Sequence, residues 1–238
     1  MLICFNGVDG SGKSYQAHRL VEQLNAAGYP TVYVWSGGKR IFRRPLIVLG
    51  KRLLRKQLRT SQPTPMVNSA NSTLSYQTYL KSTSTMLRHS WLRQIWQHIS
   101  LLEHTIEIWF TLLPPLLRKQ IIVSDRYIHD SIIRVAVLAG TDATHLPQRL
   151  GSLRWYRVPR PNISFLIDVP AEVALNRKDD IPAIDFLKHR IPLYHAVAEA
   201  LNFYTIDGTQ TPDEVAAAIW HNIQPLLKIS ASTALQEQ

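Results

Sequence analysis

Residues 7–14 read Gly7-Val8-Asp9-Gly10-Ser11-Gly12-Lys13-Ser14, and this stretch decides the fold. Its spacing matches G-x-x-x-x-G-K-[ST], a glycine-rich loop whose backbone N–H groups surround phosphate oxygens. An apolar run at residues 2–5 precedes the loop and predicts a buried strand. Apolar residues at helical spacing over 17–24 follow it, and Gly28 and Pro30 end the predicted helix. Strand, loop and helix come in the order that phosphate binding requires, which makes an ordinary glycine turn the weaker alternative.

Further apolar runs predict a sheet built from alternating strands and helices. The run 31–35 gives a second strand, and strand–helix–strand units imply parallel pairing. Three more strands are predicted at residues 121–123, 163–167 and 203–206. The intervening patterns predict helices at about 74–117, where a break is expected, at 170–177 and 182–201, and from Pro212 onward. The sequence therefore predicts a doubly wound α/β protein, whose ligands bind at the carboxyl ends of the strands.

Composition excludes several classes of protein. The 238 residues are 45 % apolar and 18 % charged, which suits a folded chain better than a disordered one. Cys4 is the single cysteine, so neither an intrachain disulfide nor a cysteine zinc cluster is expected. No run is long enough to span a membrane, and the start lacks the pattern of a secretory signal. We expect a cytoplasmic protein with one domain over 1–228 and a flexible tail over 229–238.

The loop and one strand end supply candidate nucleotide ligands. Lys13 is expected to reach the β- and γ-phosphates, and the Ser14 hydroxyl is expected to bind Mg²⁺. Asp125 ends the apolar run that starts at Ile121, where a carboxylate can hold Mg²⁺ through water. A structural cap is the alternative role of Asp125.

Four segments carry a resemblance to a known family. They are FNGVDGSGKS at 5–14, IIVSDRYIHDS at 121–131, PNISFLIDVPAEVALNRKDD at 161–180 and IDGTQTPDEVAAAI at 206–219. Their order and spacing over residues 1–225 resemble the thymidylate kinase family. The resemblance implies a five-stranded parallel core of P-loop kinase type with a short lid. It also implies transfer of a phosphoryl group from ATP, with Mg²⁺, to a nucleoside monophosphate.

The same resemblance implies roles for individual residues. Arg126 is expected to grip the acceptor phosphate, and Asp9 to face the acceptor sugar. Arg177, at the lid that follows the fourth predicted strand, is expected to approach the transferring phosphoryl group, with Lys178 assisting. The loop that contains Thr209 and Gln210 is expected beside the adenine. For Arg126, Arg177 and Lys178 a surface role is the alternative. Arginine suits the chemistry, because a phosphate acceptor is already a nucleophilic anion and needs positioning and positive charge more than a base.

The departures from the family pattern lie on the acceptor side. Asn6 stands where the family carries glutamate, and residues 35–40 replace its Arg-Glu-Pro-Gly run. Residues 103–105, Glu-His-Thr, occupy the neighbourhood of an expected arginine. The donor half of the pattern is intact, so the sequence supports ATP use more firmly than thymidylate use. His129, just beyond the Asp-Arg-Tyr motif, is interpreted as a packed residue, and the tryptophans at 91, 96 and 109 as core.

The excess positive charge lies in one segment. Residues 23–102 hold twelve Lys or Arg and no acidic residue, and nine of the twelve fall within 39–59. We interpret 39–60 as a basic amphipathic insertion and 60–85 as a Ser/Thr-rich loop. The basic face can line the way to an anionic substrate or contact an anionic membrane. Nucleic acid is a weaker candidate, because few aromatic residues are interleaved for stacking.

Two other functions stay open at this point, as does a homodimer. One is a kinase of a hydroxyl or non-nucleotide acceptor, which needs a base, with Asp9 or Asp130 as candidates. The other is an ATP-binding module without catalysis that docks on a membrane or nucleic acid through the basic segment.

Overall fold

The computed structural model describes residues 1–37, 90–147, 150, 157–178, 181 and 183–236. The strands are β1 (Leu2–Asn6), β2 (Thr31–Trp35), β3 (Ile121–Asp125), β4 (Ile163–Asp168) and β5 (Tyr204–Asp207). The helices that concern the site are α1 (Lys13–Ala26), α2 (Ser90–Leu117), α3 (Ile128–Ala139), α4 (Ala171–Asn176), α5 (Ile184–Ala200) and α6 (Pro212–Gln236). The basic segment 39–59 and the loop 60–85 lie outside the described residues.

The five strands form one parallel sheet in the order β2-β3-β1-β4-β5. β1 is central, with β3 on one side and β4 on the other. Successive side chains of a strand point to opposite faces, and β1 divides its apolar residues accordingly. Ile3 and Phe5 pack with α1 and α6, whereas Leu2 and Cys4 pack with α2, α3 and α5. The prediction of a five-stranded parallel α/β fold is confirmed.

The sheet fixes where a ligand can bind. The carboxyl ends of all five strands lie at one edge, because the strands are parallel. The loop after β1 begins at this edge, and the ends of β3 and β4 flank it. β2 and β3 lie on one side of β1, and β4 and β5 lie on the other. In such folds a ligand-binding crevice forms at the carboxyl end of the strand where the strand order reverses, which is β1 here.

Some local predictions differ from the structure. α6 continues to Gln236, so residues 229–236 are helical where a flexible tail was expected. Trp109 is 41 % exposed, and its indole Nε1–H donates to the Arg157 carbonyl at 2.7 Å, so its assignment to the core is wrong. Trp109 lies on a long amphipathic helix, and the sequence alone did not show that its ring points away from the buried side of that helix. In the part of the chain that is described, no helix combines the length and apolar character needed to cross a membrane.

Candidate functional site

The phosphate loop connects β1 to α1 and packs tightly against α4. Gly10 has φ +85°, and a Cβ placed there would lie 2.2 Å from the Ala174 carbonyl oxygen. Only glycine therefore allows this approach of two backbones. Gly12 has φ +88° and forms the N-cap of α1, where a Cβ would meet open space. No side chain caps α1, and its first turn carries no acidic residue. The first N–H groups of α1 are thus available to an anion.

Lys13 lies inside this loop. Its side chain is 5 % exposed, and Nζ donates to the Val8 carbonyl at 2.9 Å. Nζ is also 3.8 Å from Asp9 Oδ1. Burial lowers the pKa of Lys13 to about 8, with a further contribution from the Arg126 charge. Burial disfavours the charged ammonium, and Asp9 is shared with Arg126 and Lys178, so a phosphate beside Nζ would add counter-charge. Ser14 follows on α1 and is exposed.

Asp125 presents a carboxylate oxygen with unused bonding capacity. The residue is 1 % exposed at the end of β3. Its Oδ2 accepts a hydrogen bond from the Tyr33 hydroxyl at 3.0 Å, and the Tyr33 ring stacks on His18. Its Oδ1 is buried and has no hydrogen-bond partner among the described residues. A buried carboxylate oxygen without a donor suits a cation or a cation-bound water.

The Asp125 carboxylate is thus a candidate Mg²⁺ ligand, and Ser14 at the start of α1 stays a predicted one. Within the described ranges no three His, Cys, Asp or Glu residues form a protein-only metal site. Mg²⁺ commonly binds one or two protein oxygens together with substrate phosphates and several waters.

Arg126 is held between two carboxylates. It adopts φ +70°, and its backbone N–H donates to the Phe5 carbonyl at 3.0 Å. One terminal nitrogen donates to Asp130 Oδ1 at 2.6 Å and the other donates to Asp9 Oδ1. Tyr194 also donates its hydroxyl hydrogen to Asp130 Oδ1. A guanidinium has five N–H donors, so Arg126 keeps others for a ligand while its orientation is fixed.

The positive charges around Asp9 control its protonation. Burial alone would raise the pKa of Asp9, but Arg126, Lys13, Lys178 and Arg190 together hold it below its ordinary value. Burial would likewise raise the pKa of Asp130, and the Arg126 charge with the Tyr194 hydrogen bond lowers it. Both carboxyl groups are therefore ionised at neutral pH and keep Arg126 in place.

The residues expected from the lid and the adenine loop separate into two places. Lys178 Nζ lies 3.9 Å from Asp9 Oδ1, beside the phosphate loop. Arg177 instead donates from a terminal nitrogen to the Gly208 carbonyl at 2.8 Å, in the loop between β5 and α6. Thr209 and Gln210 are exposed in that same loop. Thr209 donates from its backbone N and its hydroxyl to Asp207 Oδ1, which shapes the turn.

Asn6 and His104 are two of the residues that depart from the family pattern, and both are buried and hydrogen-bonded. Asn6 donates to the Phe165 carbonyl at 3.2 Å, and its Oδ1 lies 3.3 Å from His129 Nδ1. Burial lowers the pKa of His129 to about 4, so this ring is neutral, and its interpretation as a packed residue is supported. The His104 ring bridges two groups. Its Nε2 lies 2.9 Å from the Ser36 carbonyl oxygen, and its Nδ1 lies 2.6 Å from the Ser131 hydroxyl oxygen.

The structure also reveals residues that the sequence did not point to as parts of the site. Tyr33 comes from β2, the next strand along the chain, and Arg190 and Tyr194 come from α5, more than 170 residues after the loop. No short motif marks them, since their importance depends on which elements meet at the edge of the sheet.

Comparison with known proteins gives a consistent set of relatives. A probable thymidylate kinase of Methanocaldococcus jannaschii is 29 % identical over 213 residues, which is 88 % of each chain. A probable thymidylate kinase of Metallosphaera sedula is 32 % identical over 123 residues, 49 % of this chain and 59 % of that protein. The crystal structure of thymidylate kinase from Ehrlichia chaffeensis superimposes with a TM-score of 0.53 at 19 % identity, over 94 % of this chain and 98 % of the other, which supports the shared fold. No family model matches the chain.

Proposed function

We propose that this chain, which is similar to thymidylate kinases over most of its length, transfers the γ-phosphoryl group of ATP to a nucleoside monophosphate. One observation carries the proposal: Lys13, Arg126 and Asp125 converge on the start of α1 at one edge of the sheet. The curated relatives support the kinase assignment. Thymidylate is the first acceptor to test, and the altered acceptor side calls for a panel of other nucleoside monophosphates beside it.

The donor half of the site follows from the loop. Backbone N–H groups at the start of α1 bind the phosphates of ATP, and Lys13 contacts the β- and γ-phosphates. Ser14 and Asp125 hold Mg²⁺, which would neutralise charge on the phosphates when it is bound. Thr209 and Gln210 lie in the loop that would border the adenine.

The acceptor half relies on placed positive charge. Arg126 donates its remaining N–H groups to the acceptor phosphate, and Asp9 faces the acceptor sugar. Arg177 and Lys178 approach the transferring group when the lid closes over it. Arg177 would then leave the Gly208 carbonyl, to which it now donates. Positioning and charge suffice, because the acceptor phosphate already carries the nucleophilic oxygen.

The geometry gives less support to a hydroxyl acceptor. Such a reaction needs a base, and the candidates Asp9 and Asp130 are both bound to Arg126. Since their pKa values lie below the ordinary range, neither carboxylate readily accepts a proton near neutral pH.

Two partner assignments stay proposals. Anionic membrane contact through 39–59 rests on sequence alone. A homodimer finds support in α2, which exposes Leu102, Trp109 and Phe110 among the described residues. An apolar face of this kind is often covered by another chain.

The proposal predicts that Lys13→Met abolishes transfer while the fold is kept, because Nζ meets phosphate rather than a core group. ADP release would be followed with a panel of nucleoside monophosphates, including thymidylate, and with nucleosides. We expect turnover on a monophosphate and a fall of at least about 10²–10³-fold in the variant. Lys188→Met, at an exposed position of α5, is the control and should keep the wild-type rate. Activity on hydroxyl compounds alone, or full activity of Lys13→Met, would overturn the proposal.

A further inference from the structure

One face of α5 carries the Arg190 guanidinium, whose charge acts on Asp9. Phe186, Arg190 and Tyr194 are spaced four residues apart, which places them on one side of the helix. The guanidinium carbon of Arg190 lies 3.9 Å from the centre of the Phe186 ring. Tyr194, one turn further on, bonds to Asp130, the carboxylate that holds Arg126. Arg190 therefore lies between a supporting ring and the residues that orient Arg126.

The bonding capacity of Arg190 is largely unused. Its Nε is buried and has no hydrogen-bond partner among the described residues. No carboxylate in the described ranges forms an ion pair with it, in contrast to Lys13, Arg126 and Lys178, which each lie within 4 Å of Asp9 Oδ1. A buried N–H donor without an acceptor is unfavourable, so such a group is expected to meet an acceptor when a ligand binds.

The charges around Asp9 also point to an absent anion. Four cationic side chains act on this carboxylate, and they come from α1, β3, the segment after α4, and α5. Asp9 and Asp130, which also pairs with Arg126, together balance only part of these four positive charges. Phosphate oxygens carry complementary charge and accept hydrogen bonds from a planar guanidinium in pairs.

We propose that Arg190 is a phosphate ligand at the junction of the donor and acceptor sites, where it binds a phosphoryl oxygen beside Arg126. This inference rests on the proposed kinase function. Phe186 acts as a positioning residue, because its ring fixes the plane of the guanidinium through a cation–π contact. The phosphate belongs either to the acceptor or to the γ-position of ATP. The chemistry is the same in both cases, and separate binding measurements distinguish them.

The test compares Arg190→Gln with the wild-type protein, with Arg190→Lys as the conservative variant. The control is Lys188→Gln, which changes an exposed residue on the same helix that pairs with Glu172. Calorimetry would measure the affinities for thymidine monophosphate and for a non-hydrolysable ATP analogue. Steady-state kinetics would give kcat and KM for each substrate, with the acceptor that the wild type uses.

We expect Arg190→Gln to lose about tenfold or more in affinity for one of the two ligands and about 10²-fold or more in kcat/KM. Loss for the monophosphate assigns the acceptor phosphate, and loss for the ATP analogue assigns the γ-phosphate. Arg190→Lys should recover part of the binding, since it restores charge without the planar fork. Affinities and kcat/KM within about twofold of the control would overturn the inference while turnover by the wild type preserves the proposed function. A wild-type protein that neither binds nor turns over nucleotides would refute both.

Discussion

At the scale of single residues, the site depends on a lysine that is costly to keep charged. Lys13 is buried, and its pKa is lowered to about 8 from the ordinary 10.5, first by burial and then by the Arg126 charge. Asp9 acts in the opposite direction, but it is shared with Arg126 and Lys178. The ligand-free loop thus holds a cation with incomplete compensation, which favours the arrival of phosphate.

This lowered pKa predicts proton uptake when ATP binds at alkaline pH. At about pH 9 most Lys13 side chains in the free protein are neutral, and the phosphates of ATP raise the pKa again, so up to about one proton is taken up. Near pH 7 the lysine is already charged and contributes little. Titration calorimetry in two buffers of different ionisation enthalpy measures the proton count at each pH.

Lys13→Arg is the matched control for this measurement, because arginine stays charged at both pH values. Subtracting its proton count removes the titration of ATP itself. An equal count for wild type and variant at about pH 9 would show that Lys13 does not titrate on binding.

Lys13 also affects folding stability with a defined sign. Its pKa is lower in the folded than in the unfolded chain, so the unfolded chain binds more protons between about pH 8 and 10.5. Stability relative to Lys13→Met should therefore rise with pH through this window, by at most about 3 kcal/mol. Denaturant unfolding of both proteins at several pH values measures it, and a relative fall in wild-type stability would contradict the assignment.

At the scale of elements, the close contact between the phosphate loop and α4 predicts different effects at two glycines. Gly10 and Gly28 have nearly equal φ, +85° and +84°, but only Gly10 faces a backbone carbonyl. Gly28→Ala should cost about 1–2 kcal/mol through left-handed backbone strain alone. Gly10→Ala adds a clash with Ala174 and should cost more and weaken nucleotide binding. Thermal unfolding and ATP binding of the two variants make the comparison, and equal behaviour would contradict the packing argument.

Elements with a local signal were the predictable part of the fold. β1 and β4 are almost wholly buried, so they read as short continuous apolar runs. The loop from Gly7 to Ser14 is one contiguous stretch, so its phosphate-binding role could be predicted from the sequence. Asp125 and Arg126 follow a predicted strand, and a parallel sheet brings strand ends together at one edge.

The rest of the site depends on three-dimensional placement. Tyr33 reaches Asp125 from a neighbouring strand, and Tyr194 reaches Asp130 across 64 residues of sequence. Neither the residue type nor the spacing in the sequence predicts these two hydrogen bonds. The sequence also does not predict where the side chains of Arg177 and Lys178 lie. These adjacent residues follow α4, yet Arg177 contacts Gly208 whereas Lys178 lies beside Asp9.

At the scale of the whole molecule, a net charge of +10 favours anionic ligands. If the charge on 39–59 lines the way to the site, it should accelerate nucleotide association, and salt should reduce this effect. Stopped-flow binding of a fluorescent ATP analogue at about 0.05 M and 0.5 M salt measures the rates. We expect a fall of about tenfold for the wild type and a smaller fall when Lys51, Arg52, Arg55 and Lys56 are replaced by Gln.

Vesicle binding provides the companion measurement. An unchanged salt dependence in that variant, together with lost sedimentation on phosphatidylserine vesicles, would assign the segment to membrane contact instead. Neutral phosphatidylcholine vesicles control for attraction that does not depend on lipid charge.

The central claim is that the loop of residues 7–14 binds the polyphosphate of ATP. Titration calorimetry of magnesium-ATP into the full chain and into Lys13→Met tests it most directly. Saturable binding to the wild type at one site, weakened about tenfold or more in the variant, is the predicted result. Absence of binding to the wild type, or equal affinity of the two proteins, would contradict the account.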